Sequence, residues 1–293
     1  MTARLLRLHL RRIATALVCA SLLAPPAHAV ELKRKSVETF DRYIRLTEAR
    51  IDAEIMKSDP FLWVDSLSEP AHTQTYDRLR RGEVVIERMR TLDNGQPIED
   101  DNSIIHHWVG TVFVPGVTLE QTIALAQQYD RHAEIYKPDV MQCRIVARHG
   151  NDFKVFFRFF KHKAVVTTVH NTEHEVRYIP LDAHRLHTRT WTTRIAQVDD
   201  SGKPDGPEKP VGNDSGFLWR MNTYWRYLER DGGTYIQLES VTLSRDIPAV
   251  IAWLIRSYVE SVPRESVTFT LGTTRKALMN LHPVTPAKAS SDK

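Results

Sequence analysis

The feature that most constrains the fold is a long run of alternating side chains between Ile104 and Ser244. Segments such as FKVFFRFF (153–160) and FLWRMNTYWRY (217–227) place large apolar residues at every second position, which is the period of a β-strand. Turn sequences separate some of these segments, for example HGND (149–152) and Asp231-Gly232-Gly233. The run therefore predicts a large antiparallel sheet.

Helical patterns interrupt and follow this run. After the strand IIHHWVGTVFVPG, Thr118 and Gln121 have the spacing of a capping box, which predicts a helix over LEQTIALAQQYDRHAEIY. Near the end, PAVIAWLIRSYVE (248–260) is apolar nearly all round, and Pro263 is expected to open a second helix. A curved sheet with one apolar face needs a cover, and the terminal helix would provide it. The fold class predicted is α+β.

The ends of the chain predict processing and extension. Residues 1–29 combine a basic start, a short apolar run and AHA at 27–29, which is typical of a cleaved signal peptide. Residues 30–80 predict a helical N-terminal extension, residues 81–281 the main domain, and residues 282–293 a disordered tail. We therefore expect an exported protein, periplasmic or secreted.

Removing the signal peptide changes the charge balance. The whole chain has 40 Lys+Arg against 36 Asp+Glu, and the signal holds four Arg and no acid, so the mature chain has 36 of each. A neutral chain lacks the basic face expected of a nucleic-acid binder. Of the two cysteines only Cys143 remains, so we expect no intramolecular disulfide.

Two stretches carry a resemblance to a known superfamily. HHWVGTVFVPGVTLEQTIALAQQYDRHAEIYKPDV is similar to the first strand, paired short helices and second-strand entry of the START-like (SRPBCC, helix-grip) proteins. GGTYIQLESVTLSRDIPAVIAWLIRSYVESVPRESVTFTLGTTRKAL resembles their last strand and closing helix. The resemblance covers roughly residues 104–281 and implies a hydrophobic ligand held in a tunnel between the sheet and that helix. It implies no catalytic residue, because the superfamily has no universal catalytic motif.

The sequence HNTEH (170–174) has the written form of a zinc-protease motif. That motif works on a helix, where histidines four residues apart lie one turn apart and share a metal ion. Here the flanking segments are strand-like, and on a strand the same two positions lie about 13 Å apart. We therefore favour a hairpin turn with polar histidines at Asn171-Thr172 and expect no metal and no cofactor.

The remaining polar candidates are histidines and arginines. We expect the scattered histidines to lie at the surface or rim, with the alternative that a few tune ligand release with pH. Arg158, Arg194, Arg220 and Arg226 would solvate the outer face of the sheet, unless one points inward and pairs with an anionic group of a ligand.

The aromatic and apolar residues give the predicted ligand-binding wall. The candidates are Phe156, Phe160, Trp191, Trp219, Met221, Trp225 and Leu271. We expect these residues to bind a hydrophobic small molecule or lipid without catalysis, with transient membrane contact as a further possibility. Two alternatives remain: a cyclase- or hydrolase-type enzyme in the same tunnel, and a scaffold that docks a partner through its N-terminal helix.

Overall fold

A computed structural model of the chain describes residues 30–57, 60–163, 166–199, 206–246 and 252–283. The predicted signal peptide and residues 284–293 of the predicted tail lie outside the described residues. The search for a helix long and apolar enough to cross a membrane found none among the described residues.

The strands of the described chain, in order, are β1 (Val30–Glu31), β2 (Val85–Arg88), β3 (Leu92–Asp93), β4 (Gln96–Pro97), β5 (Ser103–Pro115), β6 (Val140–His149), β7 (Asp152–Lys163), β8 (Val166–Pro180), β9 (Arg185–Gln197), β10 (Asn213–Asp214), β11 (Arg220–Arg230) and β12 (Gly233–Arg245). The helices are α1 (Arg34–Ile55), α2 (Ala71–Arg80), α3 (Leu119–Ala126), α4 (His132–Ile135) and α5 (Ala252–Leu281), with 3-10 turns at Trp63–Ser66 and Tyr129–Arg131. Thr118 and Gln121 form the capping box expected at the start of α3.

The main sheet contains eight of the described strands, in the order β2-β5-β12-β11-β9-β8-β7-β6, all paired antiparallel. Register shifts in β6, and in β9 opposite Glu173 and His174 of β8, mark β-bulges, which bend and twist a sheet. First strand, paired short helices, six further strands and a closing helix follow one another as the START-like resemblance implies. The predicted α+β helix-grip fold is confirmed.

Helix α5 covers the inner face of the sheet. Val267 and Leu271 from α5 pack with Val112 of β5 and Ile236 of β12 in the main core. Burying each such side chain contributes about 1.5–3 kcal/mol. Gly110 allows the close approach, because a Cβ there would lie only 2.8 Å from a Leu271 methyl.

One expectation about α5 is wrong. We expected Pro263 to open a second helix, but it lies inside one continuous helix that runs to Leu281. The cost of a proline in a helix interior, about 3 kcal/mol, is offset here by the core contacts that the rest of the helix makes. The predicted start at Pro248 lies outside the described residues.

Helices α1 and α2 cover the outer face of the same sheet. Phe40, Tyr43 and Ile51 of α1 pack against Tyr224 and Leu243 of the sheet. Tyr76 and Leu79 of α2 join a second outer cluster that contains Phe113 and Tyr235. Both faces of the central strands are therefore buried, although the basic helix-grip pattern predicts a cover on the inner face alone.

The outer face also buries charge. Arg226 is 2% exposed and donates to the Phe61 carbonyl at 2.6 Å and to Glu54 of α1 at 2.5 Å. Glu239, 1% exposed, accepts from His107 Nε2 at 2.8 Å and pairs with Arg50. Burial raises the pKa of Glu239, but His107, Arg50 and Arg226 outweigh burial and lower it to about 2.

We expected Arg226 to lie on a solvated face, and that expectation is wrong. The residue does lie on the outer face of the sheet, but α1 covers that face and supplies the carboxylate that pairs with it. A buried charge is tolerated only when it is paired in this way.

Candidate functional site

The candidate site is a cavity of about 280 Å³ between the inner face of the sheet and α5. Aromatic walls come from Phe157 and Phe159 of β7 and from Trp225 and Tyr227 of β11. Val267 of α5 contributes to the roof. In other proteins, an apolar cavity of about 150 Å³ is large enough to hold benzene. The larger cavity here therefore suits a molecule of about two rings.

Most of the tyrosine hydroxyls at the cavity have partners within the protein. Tyr129 and Tyr178 hydroxyls lie 2.9 Å apart, and Tyr178 also reaches the Ala126 carbonyl at 3.3 Å. The Tyr136 hydroxyl lies 2.9 Å from Thr274 Oγ1. Burial keeps these phenols neutral, raising the pKa of Tyr136 and Tyr178 above the ordinary value. They shape the wall while their polar ends are already satisfied.

Four histidines line the cavity: His106, His132, His170 and His174. All four are buried, and for His106 and His132 this contradicts the prediction that the scattered histidines lie at the surface or rim. Burial lowers the pKa of His106, His132 and His170 to about 4 and that of His174 to about 3. These imidazoles are therefore neutral at physiological pH.

Three imidazole nitrogens in the cavity wall have no hydrogen-bond partner among the described residues. They are His132 Nε2, His170 Nε2 and His174 Nδ1. Leaving a buried polar atom unpaired costs about 1–3 kcal/mol, so native proteins rarely do so without a reason. Polar atoms of this kind inside an apolar cavity are suited to fixing the orientation of a ligand.

The HNTEH segment lies within β8, which runs unbroken through it. The hairpin turn expected at Asn171-Thr172 is wrong, since β7 and β8 pair with Lys163 opposite Val166. His170 and His174 face the cavity, whereas Glu173 is exposed on the other side of the sheet. The zinc-protease arrangement therefore does not form, and among the described residues no group of three or more His, Cys, Asp or Glu is placed to hold a metal.

Two of the seven sequence-predicted residues reach the cavity. Met221 and Trp225 of β11 line it. Leu271 lies beside it, fully buried in the core that joins α5 to the sheet. A role for these residues in binding stays a prediction.

The other four predicted residues lie away from the cavity wall. Trp219 is buried on the outer face, where its indole packs with Phe40 and donates to Asp214 Oδ1 at 3.1 Å. Phe156 lies on the opposite face of β7 from Phe157, with the Arg144 guanidinium 4.6 Å over its ring. Phe160 shares that outer face. Trp191 follows Thr190 on β9, and because Thr190 lines the cavity, Trp191 lies on the other face of the sheet. Aromatics occupy both faces of these strands, so alternation alone did not identify the inner one.

The buried histidines were the signal that sequence reasoning missed. His170 and His174 share one face of β8 with Val176 and Tyr178, which line the same cavity. The strand period places them with these inner residues, but the turn expected at Asn171-Thr172 interrupted that period between the two histidines.

Comparisons with solved structures find proteins of similar architecture. A STAR-related lipid transfer protein (fragment 25–204) from Xanthomonas axonopodis has 12% identity and a TM-score of 0.42, covering 66% of this chain and 98% of that one. The Zhui aromatase/cyclase from Streptomyces sp. R1128 has 11% identity and a TM-score of 0.41, covering 60% and 95%. A START superfamily protein from Mycobacterium smegmatis has 11% identity and a TM-score of 0.39, covering 61% and 99%.

The sequence matches no family model and no curated relative. What the cavity binds therefore has to follow from its own residues.

Proposed function

We propose that this chain is an exported protein that binds a hydrophobic small molecule in the cavity between the sheet and α5, without transforming it. One observation carries the proposal: the cavity is walled by aromatic and aliphatic side chains and contains buried imidazole nitrogens with no partner among the described residues. Apolar burial would supply most of the affinity, at about 25 cal/mol per Å² of apolar surface removed from water, and the few polar atoms would fix the orientation.

The electrostatics of the cavity support binding over acid–base catalysis. A general base is most effective when its pKa lies near the working pH. Burial places the pKa of His132 and His170 at about 4 and that of His174 at about 3, several units below neutrality. Neutral imidazoles of this kind are suited to hydrogen bonding with a ligand.

The position of α1 bears on the scaffold alternative. Its apolar residues Phe40, Tyr43 and Ile51 pack inside the molecule, and Arg50 and Glu54 pair with buried residues of the sheet. The apolar face that would dock a partner is therefore already occupied, which favours ligand binding over partner docking through that helix.

Native mass spectrometry of the mature protein, purified from the periplasm without detergent, tests the proposal. We expect the mass of a chain that begins at Val30. We also expect a bound molecule of a few hundred daltons, which is lost on organic extraction. A protein that still carries residues 1–29 would contradict export with cleavage. A bare protein that also fails to bind the uncharged apolar dye N-phenyl-1-naphthylamine would contradict ligand binding.

A matched pair of substitutions on β9 locates the binding. Thr190 lines the cavity and Thr193 is exposed on the same strand. Thr190→Trp fills part of the cavity and should abolish or strongly weaken dye binding, whereas Thr193→Trp should leave it unchanged. Equal effects from the two substitutions would show that the dye binds elsewhere.

A further inference from the structure

The protonation of two cavity imidazoles follows from their partners. The Thr172 hydroxyl lies 3.3 Å from the Phe157 carbonyl, which can only accept, so the hydroxyl hydrogen points there. His174 Nε2 lies 2.7 Å from the same hydroxyl, and both contacts are hydrogen bonds when Nε2 donates to it, which is the tautomer we infer. A neutral imidazole carries one N–H, so Nδ1 of His174 is a bare acceptor.

His132 reaches the same state by a different contact. The backbone of Leu125 and Ala126 acts on its ring and raises its pKa, which partly offsets the lowering caused by burial. Carbonyls accept, so the ring nitrogen that faces them carries the hydrogen. Nε2 has no partner among the described residues, so it is the other nitrogen and a bare acceptor.

The two acceptors lie close enough for one ligand. The ring centroids of His132 and His174 lie 6.1 Å and 5.2 Å from the ring centroid of Phe157. The two imidazole centroids are therefore at most 11.3 Å apart. Both rings line the same cavity.

The cavity carries no uncompensated charge among its described lining residues. Apart from the neutral histidines, the ionisable acid and base in the lining are Asp139 and Lys161, and they pair with each other. A charged ligand group would lose its hydration without gaining a counter-charge. The lining therefore favours a neutral ligand.

We propose that the ligand is a neutral, largely apolar molecule with two hydrogen-bond donors, most simply hydroxyl groups, which donate to His132 Nε2 and His174 Nδ1. This inference rests on the proposed function and specifies the chemistry of its ligand. Hydroxyl groups donate to both imidazole nitrogens. An ether or ketone of the same shape presents a lone pair to each nitrogen instead, so both nitrogens stay without a donor.

Two matched probes test the inference. Isothermal titration calorimetry at pH 7 would compare 2,6-dihydroxynaphthalene with 2,6-dimethoxynaphthalene, which keeps the rings and oxygens but cannot donate. We expect the dihydroxy probe to bind wild type at least about tenfold more tightly, as two hydrogen bonds of ordinary strength imply. The variants His132→Phe and His174→Phe should each remove part of this preference, and the double variant should abolish it.

Two further variants separate recognition from structure. Exposed His149→Phe is the control and should retain the full preference. Thr172→Val leaves both imidazoles in place but frees the tautomer of His174, so it should reduce the preference even if the histidine variants do not fold.

The outcomes distinguish the two proposals. Failure of both probes to bind wild type, together with a bare protein in native mass spectrometry, would overturn the proposed function. Binding of both probes with equal affinity, or tighter binding of the dimethoxy probe, would overturn the donor inference and leave the proposed function standing. A preference for the dihydroxy probe that survives in Thr172→Val and in the folded histidine variants would also overturn it.

Discussion

Two tryptophans of one segment lie in different environments, and the sequence does not distinguish them. Both belong to FLWRMNTYWRY, but Trp225 lines the cavity, whereas Trp219 is buried against α1 on the outer face. The strand proper begins at Arg220, so the alternation that assigns Trp225 to the inner face does not extend to Trp219. The sequence pattern identified the aromatic strand. The different positions of Trp219 and Trp225 follow only from where β11 begins to pair with its neighbours, at Arg220.

Alanine at each position should therefore give opposite results. Trp219→Ala opens a cavity in a packed cluster and should lower the free energy of unfolding by about 3–5 kcal/mol while leaving the inner wall intact. Trp225→Ala should cost less stability and weaken binding of the uncharged dye N-phenyl-1-naphthylamine. Urea unfolding and dye titration of the two variants check this, and a stable Trp219→Ala with lost binding would reverse our assignment.

Buried His174 should make stability depend on pH. A histidine in the unfolded chain has a pKa near 6.5, whereas burial lowers that of His174 to about 3. Between these values the unfolded chain binds a proton that the folded chain does not. The contribution to stability is therefore full above pH 6.5 and is lost as pH falls toward 3.

Replacing His174 with Phe should remove this contribution. From pH 7 to pH 5, the free energy of unfolding of wild type should fall by about 2 kcal/mol more than that of His174→Phe. Urea unfolding at both pH values measures the difference, with exposed His149→Phe expected to behave as wild type. Identical pH dependence in wild type and His174→Phe would show that this imidazole also takes up a proton in the folded state.

The contact between helix α1 and the sheet includes buried charged pairs. The sequence predicts a helical extension over residues 30–80, and Arg34–Ile55 is a helix. Arg50 and Glu54 of this helix pair with Glu239 and Arg226, which are buried in the sheet. The sequence of either partner alone does not show this, because their burial depends on contacts between residues more than 170 positions apart.

Breaking this contact should cost far more than breaking a surface pair. Arg226→Met leaves the Phe61 carbonyl without its donor, removes one of the two guanidinium groups that pair with Glu54, and takes one positive neighbour from Glu239. We therefore expect a loss of about 3–5 kcal/mol in the free energy of unfolding. Arg177 pairs with Asp152 on the exposed surface, where solvent screens the pair, so Arg177→Met should change the free energy of unfolding very little. Urea unfolding compares the two, and equal losses would mean that the Arg226 pairing adds nothing to stability.

At the scale of the whole molecule, the sheet is enclosed on both sides. The START-like resemblance predicted the inner side, because strand period and a closing apolar helix are local patterns that the sequence displays. It gave no role to residues 30–80, and the outer cover depends on packing between distant segments. The cavity and the outer clusters share the strands β5, β11 and β12, so the extension supports the strands that form the cavity wall.

Deleting residues 30–80 should therefore prevent stable folding rather than release a functional binding domain. The deletion exposes the outer apolar residues Tyr224, Val241 and Leu243 and removes the carboxylate that pairs with Arg226. Large exposed apolar patches promote aggregation, so we expect insoluble or unfolded protein by circular dichroism. Deleting residues 284–293 instead, most of the predicted tail, should leave folding and dye binding unchanged. A soluble protein without residues 30–80 that binds the dye with full-length affinity would show that the helix-grip sheet folds alone, and that the extension serves another purpose.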